Sequence, residues 1–233
     1  MKIAILSDLH LTNSLPHTPP GDIYRKACIK KYLRKFLHEV HEIGVEYIVV
    51  SGDICHSTLL GPDDLDLLID FFVTLSSYKI STIVINGNHD YDGSKSILDF
   101  LGVAYIDHNI KYSREIYAQY VFDDIVFHCI NYCSHGDFIN CATQALDSKL
   151  DGVNVLVGHV GVKGTLHGST KSIIGIKKDY MEWLSTNFDA IILGHHHKYQ
   201  WMNDNALYPG IPWHTRADEF EEIPGGMILD CVK

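Results

Sequence analysis

From Thr82 to Asp90 the chain reads T-I-V-I-N-G-N-H-D, an apolar β-branched run that stops at glycine and then offers an amide, an imidazole and a carboxylate. Four other apolar runs end in the same way. Ile3–Leu6 leads into Ser7-Asp8-Leu9-His10, Tyr47–Val50 into Ser51-Gly52-Asp53, Val153–Val157 into Gly158-His159, and Ala190–Leu193 into Gly194-His195-His196-His197. Imidazole, carboxylate and amide oxygen without thiolate is a donor set for manganese, iron or zinc. Two such ions about 3.5 to 4 Å apart acidify a water between them and neutralise phosphoryl oxygens during in-line attack. An imidazole with a pKa near neutrality suits protonation of the leaving oxygen.

These groups are useful only if the fold gathers them. Short apolar runs bounded by glycine and alternating with helical patterns predict an α/β fold with buried strands. Groups that follow the carboxyl ends of such strands collect in one crevice. Leu11–Gly21, with three prolines, is expected as a surface loop beside it. Asp22 is expected to cap a helix running to about Ile43, with Ile29, Leu33, Phe36, Leu37 and Val40 as its buried stripe. A second helix follows Pro62 and carries Leu65, Leu67, Leu68, Phe71, Phe72 and Leu75. Further strands are expected at Val103–Tyr105, across Tyr120–Ile130 with a turn at Asp123-Asp124, and at Met227–Cys231. A short helix falls within Tyr91–Leu101 and another at Lys178–Ser185, and Ala206–Pro212 reads as a turn. His128 alternates within a strand and reads as a satisfied core residue. His135 and His167 read as loop residues that could contact substrate.

The 233 residues suit one domain with a real core, and the formal charge of −10 argues against broad attraction to nucleic acid. A pair of divalent ions would reverse that sign locally. No apolar run reaches the roughly 18 residues of a membrane span, so no membrane association is expected. The six cysteines follow no disulfide or zinc spacing and read as reduced thiols of a cytoplasmic protein. Arg25, Lys26, Lys30, Lys31, Arg34 and Lys35 fall on the first helix, either as a solvated face or as a contact for a phosphate backbone.

In this order D-x-H, G-D, G-N-H-D, G-H and G-H-x-H resemble the calcineurin-like metallophosphoesterases, and the five motifs run from Asp8 to His197. The resemblance implies a four-layer αββα sandwich with a dimetal site at strand carboxyl ends. It implies one metal held by Asp8, His10, Asp53 and His197 and a second held by Asp53, Asn88, His159 and His195, with Asp53 as the bridge. His89 matches the catalytic histidine that contacts the scissile phosphate, and His196 is expected to point away. Gly52-Asp53-Ile54-Cys55-His56-Ser57 is similar to the G-D-L-F-H-S of SbcD-type DNA repair nucleases. Leu193–Gln200 and Tyr208–Pro212 are similar to that group's L-G-H-x-H-x-x-Q and Y-x-G-S-P segments. On that footing His56 is a second catalytic histidine that positions substrate.

The resemblance therefore implies a two-metal phosphodiester hydrolase, first a DNA exo- or endonuclease and otherwise a phosphodiesterase for small or cyclic nucleotides. Manganese is the expected metal, with iron or zinc compatible. SbcD-type subunits continue into a capping domain and a segment that docks on a coiled-coil ATPase. Residues 1–233 are read as the phosphoesterase domain alone, without either segment, so an ATPase partner and the oligomeric state stay open. His214 and Arg216, after the Pro-Gly turn, are further candidates to reach a phosphate.

Overall fold

The computed structural model describes residues 1–13, 15, 23–93, 95–103, 106–167, 170–216, 219 and 224–230. In β1 (Lys2–Leu6), β2 (Tyr47–Ser51) and β3 (Ser81–Ile85) every residue after the first is buried, the signature of strands covered on both faces. These strands pair in parallel, β3 pairs in parallel with β4 (Ile110–Tyr112), and β13 (Met227–Asp230) closes the other edge antiparallel to β1.

A second sheet has β7 (Val153–His159) and β10 (Ala190–Gly194) paired in parallel near its middle. On one side lie β6 (Ile125–Ile130) and β5 (Tyr117–Phe122), and on the other β12 (Ala206–Tyr208) and β11 (Gln200–Asn203). A hairpin of β8 (Leu166–His167) and β9 (Thr170–Lys171) stands apart from both sheets.

Side-chain alternation sorts the strands into layers. Ile3, Ile5, Val49, Ile83 and Ile85 of the first sheet meet Phe127, Val155, Val157, Ile192 and Leu207 of the second in one dry layer. The alternate residues Ala4, Leu6, Ile48, Val50 and Val84 turn outward beneath α1 (Ile23–Glu42) and α2 (Pro62–Ser77). Leu156, Ile191 and Leu193 turn the other way, beneath α4 (His135–Asp147) and α5 (Lys178–Ser185). The result is the αββα sandwich, with the short α3 (Ile97–Phe100) adding Leu98 to the first helical layer.

The stripe expected on α1 is buried in full, from Ile29 to Val40. Half of its basic face meets acidic side chains of α2. Lys26 pairs with Asp63 and Asp66 at 2.8 and 2.7 Å, Lys30 with Asp66 at 2.8 Å and Arg34 with Asp70 at 2.7 Å, so the acidic side of α2 takes up three of the cations.

Other sequence expectations need correction. Val103 sits in a tight turn and not a strand, while residues 104 and 105, Asp22, the prolines of the 11–21 segment and Cys231 lie outside the described residues. His135 begins α4 and His167 lies in β8, so neither is a loop residue. Ala206–Tyr208 is strand β12. No described helix is long and apolar enough to cross a membrane.

Phe127 is fully buried between the sheets, 5.5 Å from the ring of Tyr47 and 6.0 Å from that of Phe122. Phe127→Ala is expected to cost about 3 to 5 kcal/mol of stability, read from denaturant unfolding curves.

Candidate metal centre

The loops after β1 and β2 leave the first sheet side by side. Asp8 N–H donates to the Gly52 carbonyl at 3.0 Å, His10 N–H to Asp53 at 2.9 Å and Leu11 N–H to Ile54 at 2.8 Å. Pairing of this kind in irregular backbone requires unusual dihedrals. Asp8, His10 and Asp53 have φ of 50, 42 and 50°, and His195 has 104°. Lys79 is the only other non-glycine described residue at positive φ. Such conformations cost roughly 1 kcal/mol or more each and persist where the surroundings over-determine them.

The loop after β3 is locked to the loop after β2 by Asp90. Its fully buried carboxylate accepts from the N–H groups of Ile54, Cys55 and Gly87 at 3.2, 2.7 and 2.8 Å. Burial, with the nearby charge of Asp53, pushes Asp90 up to about 6. Gly87 fits because it has no side chain, since a Cβ there would collide with the Asp53 carboxylate. The same contact lets His89 N–H donate to Asp53 Oδ1 at 2.8 Å.

All seven side chains expected to hold metal converge. Asp53 Oδ2 lies 3.6 Å from His10 Nε2 and 3.5 Å from His159 Nε2. On the His10 side, His10 Nε2 and His197 Nε2 face each other at 3.0 Å, and His197 Nε2 is 3.8 Å from Asp8 Oδ1. On the His159 side, Asn88 Oδ1 is 3.2 Å from His159 Nε2 and 3.0 Å from His195 Nδ1. Two donor groups thus share one carboxylate oxygen. Three clusters of metal-capable atoms, each within 4.8 Å, cover this region: Asp8, His10 and His197; His10, Asp53 and His89; and Asp8, Asp53 and His159.

The remaining atoms of the histidines are held in place. His159 Nδ1 donates to the Ser51 carbonyl at 2.8 Å, which leaves Nε2 as the lone-pair nitrogen toward Asp53 and Asn88. His197 Nδ1 bonds the Glu219 carboxylate, and Glu219 also accepts from the Thr215 and Arg216 amides at 2.7 and 2.8 Å. Backbone and carboxylate partners of this sort fix the tautomer and orientation of ligating imidazoles. Glu219 carried no signal in the sequence, because it sits within an acidic run 22 residues after His197.

Electrostatics follows from burial and these contacts. Burial, aided by the neighbouring imidazoles, holds His10 well below its ordinary pKa, so it stays neutral. Burial pulls His197 down too, but the Glu219 bond and the Asp8 charge outweigh it and raise the group. His159 is raised likewise, burial being overcome by Asp53, and Asp53, despite its own burial, is held below its ordinary value by His159. Burial raises Asp8.

His56 and His89 stand at the edge of the cluster. Their rings stack at 5.9 Å, and each lies edge-on to His10, at 5.5 and 4.7 Å. His89 Nδ1 donates to the His56 carbonyl at 2.8 Å. His56 is lowered by burial and by His89, and its Nδ1 is buried with no hydrogen-bond partner among the described residues. The charge of Arg216 acts on both His56 and His197, which puts this exposed guanidinium within electrostatic reach of the centre.

His196 turns away, its Nδ1 2.9 Å from the Leu166 carbonyl. His128 is core, bonded to Asn154 and Tyr117 at 3.0 Å each.

The donor set fits divalent ions. His159 and His197 have one ring nitrogen tied off and the other turned inward, carboxylates supply the charge, and no described cysteine belongs to any of the clusters.

Residues 1–199 match the calcineurin-like phosphoesterase family, and the chain belongs to it. The fold is that of the family, and the clustered imidazoles and carboxylates form a candidate centre for divalent ions. Among relatives, protein 078R of Invertebrate iridescent virus 3, a phosphoesterase by name, is 28% identical over 78% of this chain and 52% of its own length. The DNA double-strand break repair protein Mre11 of Methanopyrus kandleri is 22% identical over 91% of this chain and 49% of its own length. The chain thus spans about half the length of each. Among solved structures, TT1561 of Thermus thermophilus superposes with a TM-score of 0.58 at 14% identity, covering 90% of this chain and 88% of that one. A dimetal phosphatase from Danio rerio gives 0.55 at 11% identity, over 89% and 85%. At these identities the likeness is one of fold.

Asp90→Ala strands three buried amides at once and is expected to cost at least about 3 kcal/mol in denaturant unfolding, with Asp90→Asn costing less because one acceptor oxygen is kept.

Proposed function

We propose that this protein hydrolyses phosphodiesters at a two-metal centre, with DNA as the substrate class, as a nuclease. The observation that carries the dimetal reading is Asp53 Oδ2, 3.6 Å from His10 and 3.5 Å from His159, between two otherwise separate donor groups. Asp8, His10, Asp53 and His197 hold one ion in this reading, and Asp53, Asn88, His159 and His195 the other. When bound, the ions supply a nucleophile at neutral pH and charge to neutralise the phosphoryl oxygens.

The protein's own groups do the rest. Because His89 Nδ1 keeps its proton on the His56 carbonyl, proton exchange falls to Nε2. A protonated His89 donates from Nε2 to the leaving oxygen, while the carbonyl stabilises the imidazolium and keeps the ring from rotating. His56, stacked on His89 and lowered by burial, is a neutral imidazole that orients the diester by hydrogen bonding.

The nuclease assignment is supported by His56 in its G-D-I-C-H-S setting and by the relative named Mre11. A small-molecule phosphodiesterase is the second reading. It is favoured by the −10 charge and by the pairing of α1 cations with α2, which takes away a basic face for a long polyanion.

The test is a substrate panel with manganese: single- and double-stranded DNA, cyclic nucleotides and bis-p-nitrophenyl phosphate. DNA cleavage is expected, and turnover of cyclic nucleotides without DNA cleavage decides for the second reading. His89→Ala is expected to lower turnover by about a hundredfold or more with metal content unchanged; a parallel loss of metal overturns its role as the acid. Glu219→Ala is expected to weaken metal binding about 10- to 100-fold in calorimetric titration.

A further inference from the structure

His195 and its neighbour His196 also form part of the wall of a cavity of about 490 Å³ that no step above uses. Tyr132, His135, Lys171, Ile173 and Ile174 also line it. The last three belong to a flap pinned at its base, where Ile176 N–H donates to the Gly161 carbonyl and Lys163 N–H to the Ile176 carbonyl, both at 2.9 Å. Gly175, at φ 131°, packs so closely on Gly161 that a Cβ would collide with its carbonyl. The base is pinned, yet Ile173 and Ile174, just before it in the chain, are 84% and 70% exposed.

Tyr132 is tied to the centre as well. Its N–H donates to the Asn86 carbonyl at 3.0 Å, just before the Gly87-Asn88-His89 turn, and its ring meets that of His159 edge-on at 6.2 Å. A space of this size, walled by an aromatic ring and two exposed isoleucines with a lysine among its lining residues, suits one planar heterocycle carrying an attached anion. A base within a duplex is stacked on both faces and enters such a space only after unpairing.

We propose that this cavity binds the nucleoside arm of a diester whose phosphorus lies at the metal centre, so that the protein acts on unpaired ends or small nucleotide diesters in preference to internal duplex. Tyr132 supplies the stacking face, Ile173 and Ile174 give the base apolar contact, and Lys171 neutralises its anionic neighbour. This inference rests on the phosphodiesterase reading.

Two esters with the same leaving group test it: thymidine 5′-(p-nitrophenyl phosphate) and methyl p-nitrophenyl phosphate. The manganese-loaded protein is expected to favour the thymidine ester in kcat/KM by about tenfold or more, and Tyr132→Ala and the Ile173→Ser/Ile174→Ser pair to bring the ratio toward one. Calorimetry with thymidine monophosphate and with inorganic phosphate separates binding from turnover. A preference for the nucleotide in the unaltered protein, lost in both variants, supports the subsite even if neither ester is cleaved, and the hydrolase reading alone then falls. Cleavage of both esters at equal efficiency overturns the subsite and leaves the hydrolase reading standing.

Discussion

The two sheets touch backbone to backbone at one end, and only glycine permits it. A Cβ on Gly194, at the end of β10, would overlap the carbonyl of Ser51 at the end of β2, and one on Gly52 would lie 2.5 Å from His159 Nδ1. Elsewhere a layer of branched aliphatic side chains keeps the sheets apart. Where that layer ends, strand termini from both sheets close in, and short side chains from five loops reach one another. Had the sheets kept their usual spacing there, Asp53 of one and His159 of the other would stand beyond hydrogen-bonding range.

Closeness brings a charge problem, and the groups around the centre answer it. Two buried carboxylates, Asp8 and Asp53, face the buried imidazoles of His10, His159 and His197, and burial alone would favour the neutral form of each. His159 and His197 instead gain basicity from their acidic neighbours, whereas burial and the neighbouring imidazoles take it from His10. A centre that draws protons onto imidazoles is one that accepts divalent charge in their place, with proton release on binding.

Much of this could be read from the residues because strand ends and metal-capable groups coincide in the chain. Each apolar run from β1 to β10 that stops at Gly or Ser delivers a polar group one to four positions later, so periodicity and chemistry point to the same places. The helices with wide apolar stripes, α1 and α2, were equally plain. What escaped had no local pattern. β12 is short and held by pairing with β10, β11 is held in turn by β12, and α4 begins at His135 after a run whose Ser134 cap resembles an ordinary turn. Glu219 matters through His197, distant in the chain, and the part Asp90 plays, locking the loops after β2 and β3 together, is not one its place in G-N-H-D announces. On α1, Lys26, Lys30 and Arg34 find partners 36 to 40 residues onward on α2, which local spacing does not announce.

The left-handed residues Asp8, His10, Asp53 and His195 make the most polar corner of the molecule also its least relaxed. Folding of the aliphatic layers must hold those four turns against their own preference. Glycine at these four positions would ease the backbone and at once remove the carboxylates and imidazoles that meet there, with the hydrogen bonds that Asp8 and Asp53 accept. Robustness and reactivity therefore pull against each other at the same four peptide units, and heat tolerance in this chain has to be sought far from them, in the helices and the outer edges of the sheets.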